Sequence, residues 1–178
     1  MAESIVMAKT AGDYSAYAGL IREFVDWCRA RYAEDKWFVD AALSHQSLES
    51  EMETLSTTYS PPKGKALLAN RDGQICGCVA YRVLSDGVCE MKRLFVPKRF
   101  QGNGTGRRLC EALITITKHD GFELMRLDTG NLLKEAISLY QALGFKQCEP
   151  YNEYPIELMR FLVFMELPLS GGPNKNRV

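Results

Sequence analysis

The densest chemistry in this 178-residue chain is the run Arg99-Phe100-Gln101-Gly102-Asn103-Gly104-Thr105-Gly106-Arg107-Arg108. Three glycines in five residues, between a strand pattern and a helix pattern, let successive backbone N–H groups converge on one anion, and a Cβ there would block close approach of phosphate oxygens. Arg99, Arg107 or Lys98 supplies positive charge beside it. The loop is not a nucleotide P-loop, because Gly106 is followed by Arg107 rather than Lys-Ser/Thr. The dinucleotide pattern GxGxxG fails as well, since Arg107 stands where its third glycine belongs. Six cysteines (Cys28, Cys76, Cys78, Cys89, Cys110, Cys148) show no CxxC pair, and His45 and His119 are the only histidines. No metal centre or disulfide framework is expected.

The elements around the loop follow from periodicity. Ser4 to Lys9 alternates as an edge strand, and Asp13 is positioned to cap a helix running to Tyr32. A second helix is expected over Leu48 to Leu55, before Pro61-Pro62. Ala66 to Ala69, Gln74 to Leu84 and Val88 to Val96 form an antiparallel meander, turned at Asp72-Gly73 and Asp86-Gly87. Helices over Gly104 to Lys118 and Leu133 to Leu143 alternate with strands over Leu124 to Leu127, Phe145 to Cys148 and Phe161 to Leu167. In the third meander strand, Lys92 and Arg93 sit side by side between Met91 and Leu94, a broken alternation that predicts a β-bulge. One mixed α/β domain is expected over residues 1–169, with a frayed tail from Ser170 to Val178.

Composition excludes other classes. Hydrophobic residues make up 46% and charged residues 25%, as in folded globular chains. The longest run without Asp, Glu, Lys or Arg is Ala136 to Phe145, too short to span a membrane. Met1 to Thr10 lacks the features of a secretion signal, so a cytoplasmic protein is expected. Net charge is zero, but residues 1–60 carry 5 basic against 10 acidic groups and residues 61–120 carry 11 against 5. That compact basic excess suits a small polyanion rather than nucleic acid.

Gln101-Gly102-Asn103-Gly104-Thr105-Gly106 resembles the Gln/Arg-x-x-Gly-x-Gly/Ala signature of the GNAT superfamily of acyl-CoA-dependent N-acyltransferases. Ala136-Ile137-Ser138-Leu139-Tyr140-Gln141-Ala142-Leu143-Gly144-Phe145 is similar to that superfamily's second motif, Asn-x-x-Ala-x-x-Leu-Tyr-x-x-x-Gly-Phe. Leu133 replaces the motif's Asn, so a contact from that amide is lost or shifted to Asn131. The resemblance covers residues 64–167 well. It implies a mixed, mainly antiparallel sheet of about seven strands flanked by about four helices, with acetyl-CoA as cosubstrate. It further implies that the coenzyme A pyrophosphate rests on Gln101, Gly102, Asn103, Gly104, Thr105, Gly106 and Arg107. Leu94, Phe95 and Val96 would pair through backbone with the pantetheine arm, and the bulge would aim an N–H at the thioester carbonyl.

The reaction so implied is attack of a primary amine on the thioester in a ternary complex. Deprotonating a lysine-like amine at pH 7 costs about 4.6 kcal/mol, so a base is useful. Glu90, just before the bulge, is the first candidate and Asp128 the second. The motif match makes Tyr140 the donor to the departing thiolate. Cys89 or Cys110 as a covalent carrier is disfavoured, since no histidine lies near either in sequence. The acceptor cleft should draw on the acidic first 60 residues and on Trp27, Tyr32, Trp37 and Phe38, with Tyr151, Tyr154 and Glu157 closing its far side, which favours a small cationic or amino-acid-like amine. An acyl-CoA sensor without turnover and a protein N-acetyltransferase are the alternatives, and a homodimer through an exposed last strand is a further expectation.

Overall fold

A computed structural model describes residues 3–169; the tail expected from Ser170 to Val178 lies outside them. The chain opens with β1 (Glu3–Met7) and α1 (Ala11–Arg31). Asp13 is the third residue of α1 rather than its cap. Thr10 Oγ1 accepts the Asp13 N–H at 3.1 Å, while the Asp13 carboxylate accepts the N–H groups of Lys9 and Thr10 at 2.9 and 2.8 Å, a reciprocal capping box. Next come α2 (Lys36–His45), α3 (Leu48–Glu53) and α4 (Leu55–Thr58). The expected second helix is thus divided at Thr54, whose hydroxyl donates to the Ser50 carbonyl at 2.9 Å and competes with the backbone ladder.

The meander follows as β2 (Gly64–Arg71), β3 (Gln74–Ser85) and β4 (Val88–Phe95). After one 3-10 turn at Lys98–Phe100 come α5 (Thr105–His119), β5 (Leu124–Gly130), α6 (Lys134–Ala142), β6 (Lys146–Gln147), α7 (Ile156–Met159) and β7 (Leu162–Pro168). The described residues therefore hold seven α-helices where about four were expected. The additional ones are short, and α2 and α7 are held by tertiary packing of Phe38, Val39, Ala42 and Leu158 rather than by a long periodic stretch.

All seven strands form one sheet in the order β1-β2-β3-β4-β5-β7-β6, antiparallel except for β4 against β5. The last strand is an interior strand flanked by β5 and the two-residue β6, so it is not the sheet edge expected to pair two subunits. Strand residues alternate between two cores. Leu67, Ala69, Val79, Tyr81, Cys89 and Met91 pack under α5 and α6, whereas Ala66, Leu68, Cys78 and Ala80 pack under α1 and α4. No helix among the described residues is long and apolar enough to cross a membrane.

Candidate active site

The site begins where β4 loses its regular pleat. Cys78 pairs with Phe95 and Ala80 with Lys92, so one residue of β3 opposes two of β4, and Arg93 takes φ +59°. The bulge reverses the phase of the strand. Cys89 and Met91 pack on the α5 side before it and Leu94 and Val96 on the α5 side after it, while Phe95 packs under α1 and strand alternation puts Glu90 and Lys92 on the face opposite Cys89 and Met91. The left-handed backbone of Arg93 costs about 1–2 kcal/mol. Its side chain is held in compensation: Nε and Nη2 donate to the two Glu51 oxygens at 2.9 and 2.7 Å, Nη1 donates to Gln46 Oε1 at 3.0 Å, and Tyr59 OH donates to Glu51 Oε1 at 2.8 Å.

Just before the bulge the sheet opens. β4 and β5 are paired only over Val88–Glu90 against Leu124–Arg126, so beyond Glu90 the β4 backbone has no strand partner on that side. The split widens into a cleft of about 740 Å³ between Met91–Val96 and Leu127–Gly130, reaching from the glycine loop to α2. An extended ligand arm can take the unpaired edge as an added strand.

At one end of the cleft lies the loop. The N–H groups of Gly102 to Arg107 donate to no protein acceptor among the described residues, leaving six consecutive free amides at the start of α5. Gly102 and Gly104 have φ of +85° and +75°, which glycine adopts without strain. No side chain caps α5 and no acid sits in its first turn, so the positive end of its dipole faces an open cleft. The loop is fixed from outside: Gln101 Nε2 donates to the Val96 carbonyl at 2.8 Å and Arg108 Nη1 to the Asn103 carbonyl at 2.8 Å. Lys98 and Arg107 line the cleft. Arg99 instead pairs with Glu23, and Arg108 with Glu3 at 2.7 Å.

In the middle, α6 brings Tyr140 to the cleft wall from the α5 side. It is buried, its hydroxyl makes no hydrogen bond among the described residues, and burial pushes the phenol well above its ordinary pKa, so it is protonated at neutral pH. On the opposite side a ring of polar side chains runs through Asp128 and Lys92. Lys92 Nζ donates to Gln46 Oε1 at 3.3 Å, Gln46 Nε2 to Tyr154 OH at 2.9 Å, and Tyr154 OH to Asp128 Oδ2 at 3.0 Å. Asn152 Nδ2 reaches both Asp128 Oδ2 at 3.2 Å and Glu90 Oε1 at 3.1 Å, and Glu90 Oε1 lies 4.0 Å from Lys92 Nζ. Asp128, Lys92 and Gln46 line the cleft.

A match to the acetyltransferase (GNAT) family model extends over residues 25–145. The chain belongs to the GNAT family. Among GNAT relatives, an uncharacterized N-acetyltransferase of Schizosaccharomyces pombe is 36% identical over 130 residues, 72% of this chain and 78% of its own length. The IAA acetyltransferase of Azospirillum brasilense is 34% identical over 116 residues, covering 63% of this chain and 72% of that one. The PaiA N-acetyltransferase of Thermoplasma acidophilum, solved in complex with coenzyme A, superimposes with a TM-score of 0.73 at 18% identity over 94% of this chain and 99% of that one. The protein is thus an acyltransferase with the mixed α/β GNAT sheet.

Within this GNAT frame the residues singled out in the sequence do not all reach the cleft. Leu94, Phe95, Val96, Gln101, Gly102, Gly104, Thr105, Gly106, Arg107, Asp128 and Tyr140 line it. Thr105 does so by its backbone end; its hydroxyl turns away and donates to Glu3 Oε2 at 2.8 Å. Asn103 contributes its amide but is not a wall residue. Asn131 stands outside the cleft, both ends of its amide engaged: Oδ1 accepts from Tyr32 OH at 3.1 Å and Nδ2 donates to the Arg160 carbonyl at 3.2 Å. It fixes the turn between β5 and α6 and does not take over the displaced contact.

Glu90 is enclosed beneath the wall. It is fully buried and accepts from Arg82 Nε at 2.6 Å, Tyr151 OH at 3.0 Å and Asn152. Burial opposes its ionisation, but the Lys92 and Arg82 charges and these hydrogen bonds outweigh it and hold the carboxyl below its ordinary range. Such a group makes a poor base. Trp27, Tyr32 and Phe38, expected around the acceptor, line the cleft with Phe24, while Trp37 packs outside against Phe161. The acids of residues 1–60 do not come with them: Glu3, Glu23, Asp40 and Glu51 are spent on arginines elsewhere. Gln46 and Asn152 were not singled out by their sequence pattern, and Lys92 only as half of the doublet that marks the bulge. The doublet Lys92-Arg93 was the available signal, because both residues of a bulge pair can face one side.

Proposed function

We propose that the protein transfers the acetyl group of acetyl-CoA to the primary amine of a small molecule, in a ternary complex. The observation that carries this reading is the run of six free amides at one end of a cleft whose other wall is an unpaired, bulged strand edge. The amides of Gly102 to Arg107 hold the pyrophosphate, with Lys98 and Arg107 beside it. The pantetheine arm adds to the free edge of Leu94 to Val96 and brings the thioester to the bulge, where a backbone N–H polarises its carbonyl.

The amine nitrogen then attacks the carbonyl carbon. Asp128 takes the proton that nitrogen loses as the C–N bond forms; it lines the cleft, and its hydrogen bonds run through Oδ2, leaving Oδ1 without a protein donor among the described residues. As the C–S bond breaks, Tyr140 donates to the thiolate. Because burial disfavours its phenolate, it acts chiefly through the hydrogen bond it offers. A covalent carrier is not part of the proposal: Cys89 and Cys110 are fully buried, which pushes each thiol up to about 12 and leaves no thiolate at neutral pH. A cytoplasmic location belongs to the same reading, supported by cysteines that are all unpaired, five of them buried.

The test is thiol release from acetyl-CoA against a panel of amines. Amine-dependent release with one acetylated product per thiol supports the reading. Coenzyme A binding without release across the panel overturns it and leaves an acyl-CoA sensor.

A further inference from the structure

The acceptor half of the cleft has a charge pattern of its own. Of the ionic groups there, most are already matched: Arg93 with Glu51, Glu90 with Arg82 at 2.6 Å, and Arg31 with Glu135 at 2.9 Å. Two groups are not. Lys92, with 6% of its side chain exposed, fills one of its three N–H bonds, at 3.3 Å to Gln46, and has no carboxylate closer than Glu90 at 4.0 Å. Asp128 keeps Oδ1 without a protein donor among the described residues. These are a cation and an anion, both on the cleft wall. The six-membered ring through Gln46, Tyr154, Asn152 and Glu90 holds them at a fixed spacing. Beside them stand Phe24, Trp27, Phe38, Val39 and Leu43, an apolar wall.

A buried ammonium with unfilled donors is costly unless a ligand completes it. A plain cationic amine satisfies Asp128 and leaves Lys92 unfilled; a molecule carrying a carboxylate next to its amine satisfies both. Resting on the acetyl transfer proposed above, we infer that the acceptor is a zwitterionic α-amino acid with an aromatic or large aliphatic side chain. Its amine meets Asp128, its carboxylate meets Lys92, and its side chain lies against Phe24, Trp27 and Phe38. Lys92 is thus a specificity residue, and the acetylated product leaves as a monoanion. The protons balance: the bound ammonium first passes one proton through Asp128 to solvent. The free amine then forms the C–N bond as the C–S bond breaks, the second proton lost by nitrogen goes to Asp128, and coenzyme A leaves as the thiolate that Tyr140 hydrogen-bonds.

Steady-state thiol release with acetyl-CoA tests this on the wild-type protein, comparing L-phenylalanine, L-phenylalaninamide, phenethylamine and glycine. A charged hydrogen bond to the carboxylate and burial of the ring are each worth about 10- to 100-fold in kcat/KM. L-Phenylalanine is therefore expected to exceed each of the other three by at least about 10-fold. In Lys92→Gln the preference for L-phenylalanine over phenethylamine should fall by about 10-fold or more, through KM rather than kcat. Equal use of the acid, its amide and phenethylamine by the wild type, or an unmoved preference in Lys92→Gln, overturns the inference. Calorimetry with coenzyme A separates the two proposals: uptake together with acetylation of carboxylate-free amines as fast as of L-phenylalanine removes the amino-acid acceptor alone, whereas no uptake removes the transfer reading with it.

Discussion

Replacing Glu51 with alanine leaves a guanidinium stranded. Arg93 and Glu51 have only 5% and 7% of their side chains exposed and share a two-pronged ion pair at 2.9 and 2.7 Å. With the carboxylate gone, Arg93 keeps Gln46 alone and stands beside a second buried cation, Lys92, while Tyr59 OH loses its acceptor. Breaking a buried pair from one side costs about 3–5 kcal/mol. At about 2–4 °C per kcal/mol for a chain of this size, the melting temperature should fall by roughly 6–20 °C. Urea unfolding of Glu51→Ala measures the loss directly. Because the pair also holds the bulge, turnover of the remaining folded enzyme should fall as well. Removing both charges together, as Glu51→Leu with Arg93→Met, should recover most of the lost stability, since two matched apolar groups avoid the desolvation cost. A single substitution costing under about 1 kcal/mol, or a double no more stable than the singles, refutes the claim that this pair holds the bulge in place.

Tyr140→Phe should lower kcat about 10²-fold in the thiol-release assay with coenzyme A affinity little changed, and an unaltered rate would remove the phenol from the mechanism. Asp128→Asn should lower kcat about 10²-fold or more, whereas Glu90→Gln should act mainly on stability; the reverse ranking would restore Glu90 as the base. Glu3 predicts an acid transition. Burial raises its pKa, but hydrogen bonds from Arg71, Arg108 and Thr105 outweigh this and hold it at about 2 against an ordinary 4.5. Its stabilising effect is therefore complete above the ordinary value and lost as pH falls through about 2. Discounted for solvent near the sheet edge, it is worth about 1–2 kcal/mol. Glu3→Gln should be less stable than wild type at pH 7, with the gap closing near pH 2, and a gap that persists there would contradict the linkage.

Much of this site was legible in order along the chain. The glycines at 102, 104 and 106, the strand before them and the helix after them mark an anion site by local geometry, and the doublet Lys92-Arg93 marks the bulge by its break in alternation. Local signals end where groups meet across the fold. Glu90 read as the first candidate base because it stands just before the bulge; Arg82, Tyr151 and Asn152 surround it from three other places in the sequence. The acidic excess of residues 1–60 read as an acidic cleft, yet burial and pairing decide where charge acts, and those acids face arginines of β1's neighbours, α2's flank and the bulge. Helix α2 carries too few turns for a periodic signal and is stabilised by Phe38, Val39 and Ala42 packing on Phe161 and Leu158. Asn131 matched a motif's chemistry two residues away from its position, and its amide is taken by Tyr32 and Arg160.

The central claim, that bare main-chain amides between a bulged strand and a helix grip the diphosphate of a thioester carrier, is tested most directly by an amide NMR titration of the labelled protein with coenzyme A. The N–H signals of Gly102 to Arg107 should move and become protected from exchange in step with saturation, ahead of those elsewhere in the molecule. Saturable binding that leaves these six signals in place, or no binding at millimolar coenzyme A, would contradict the account.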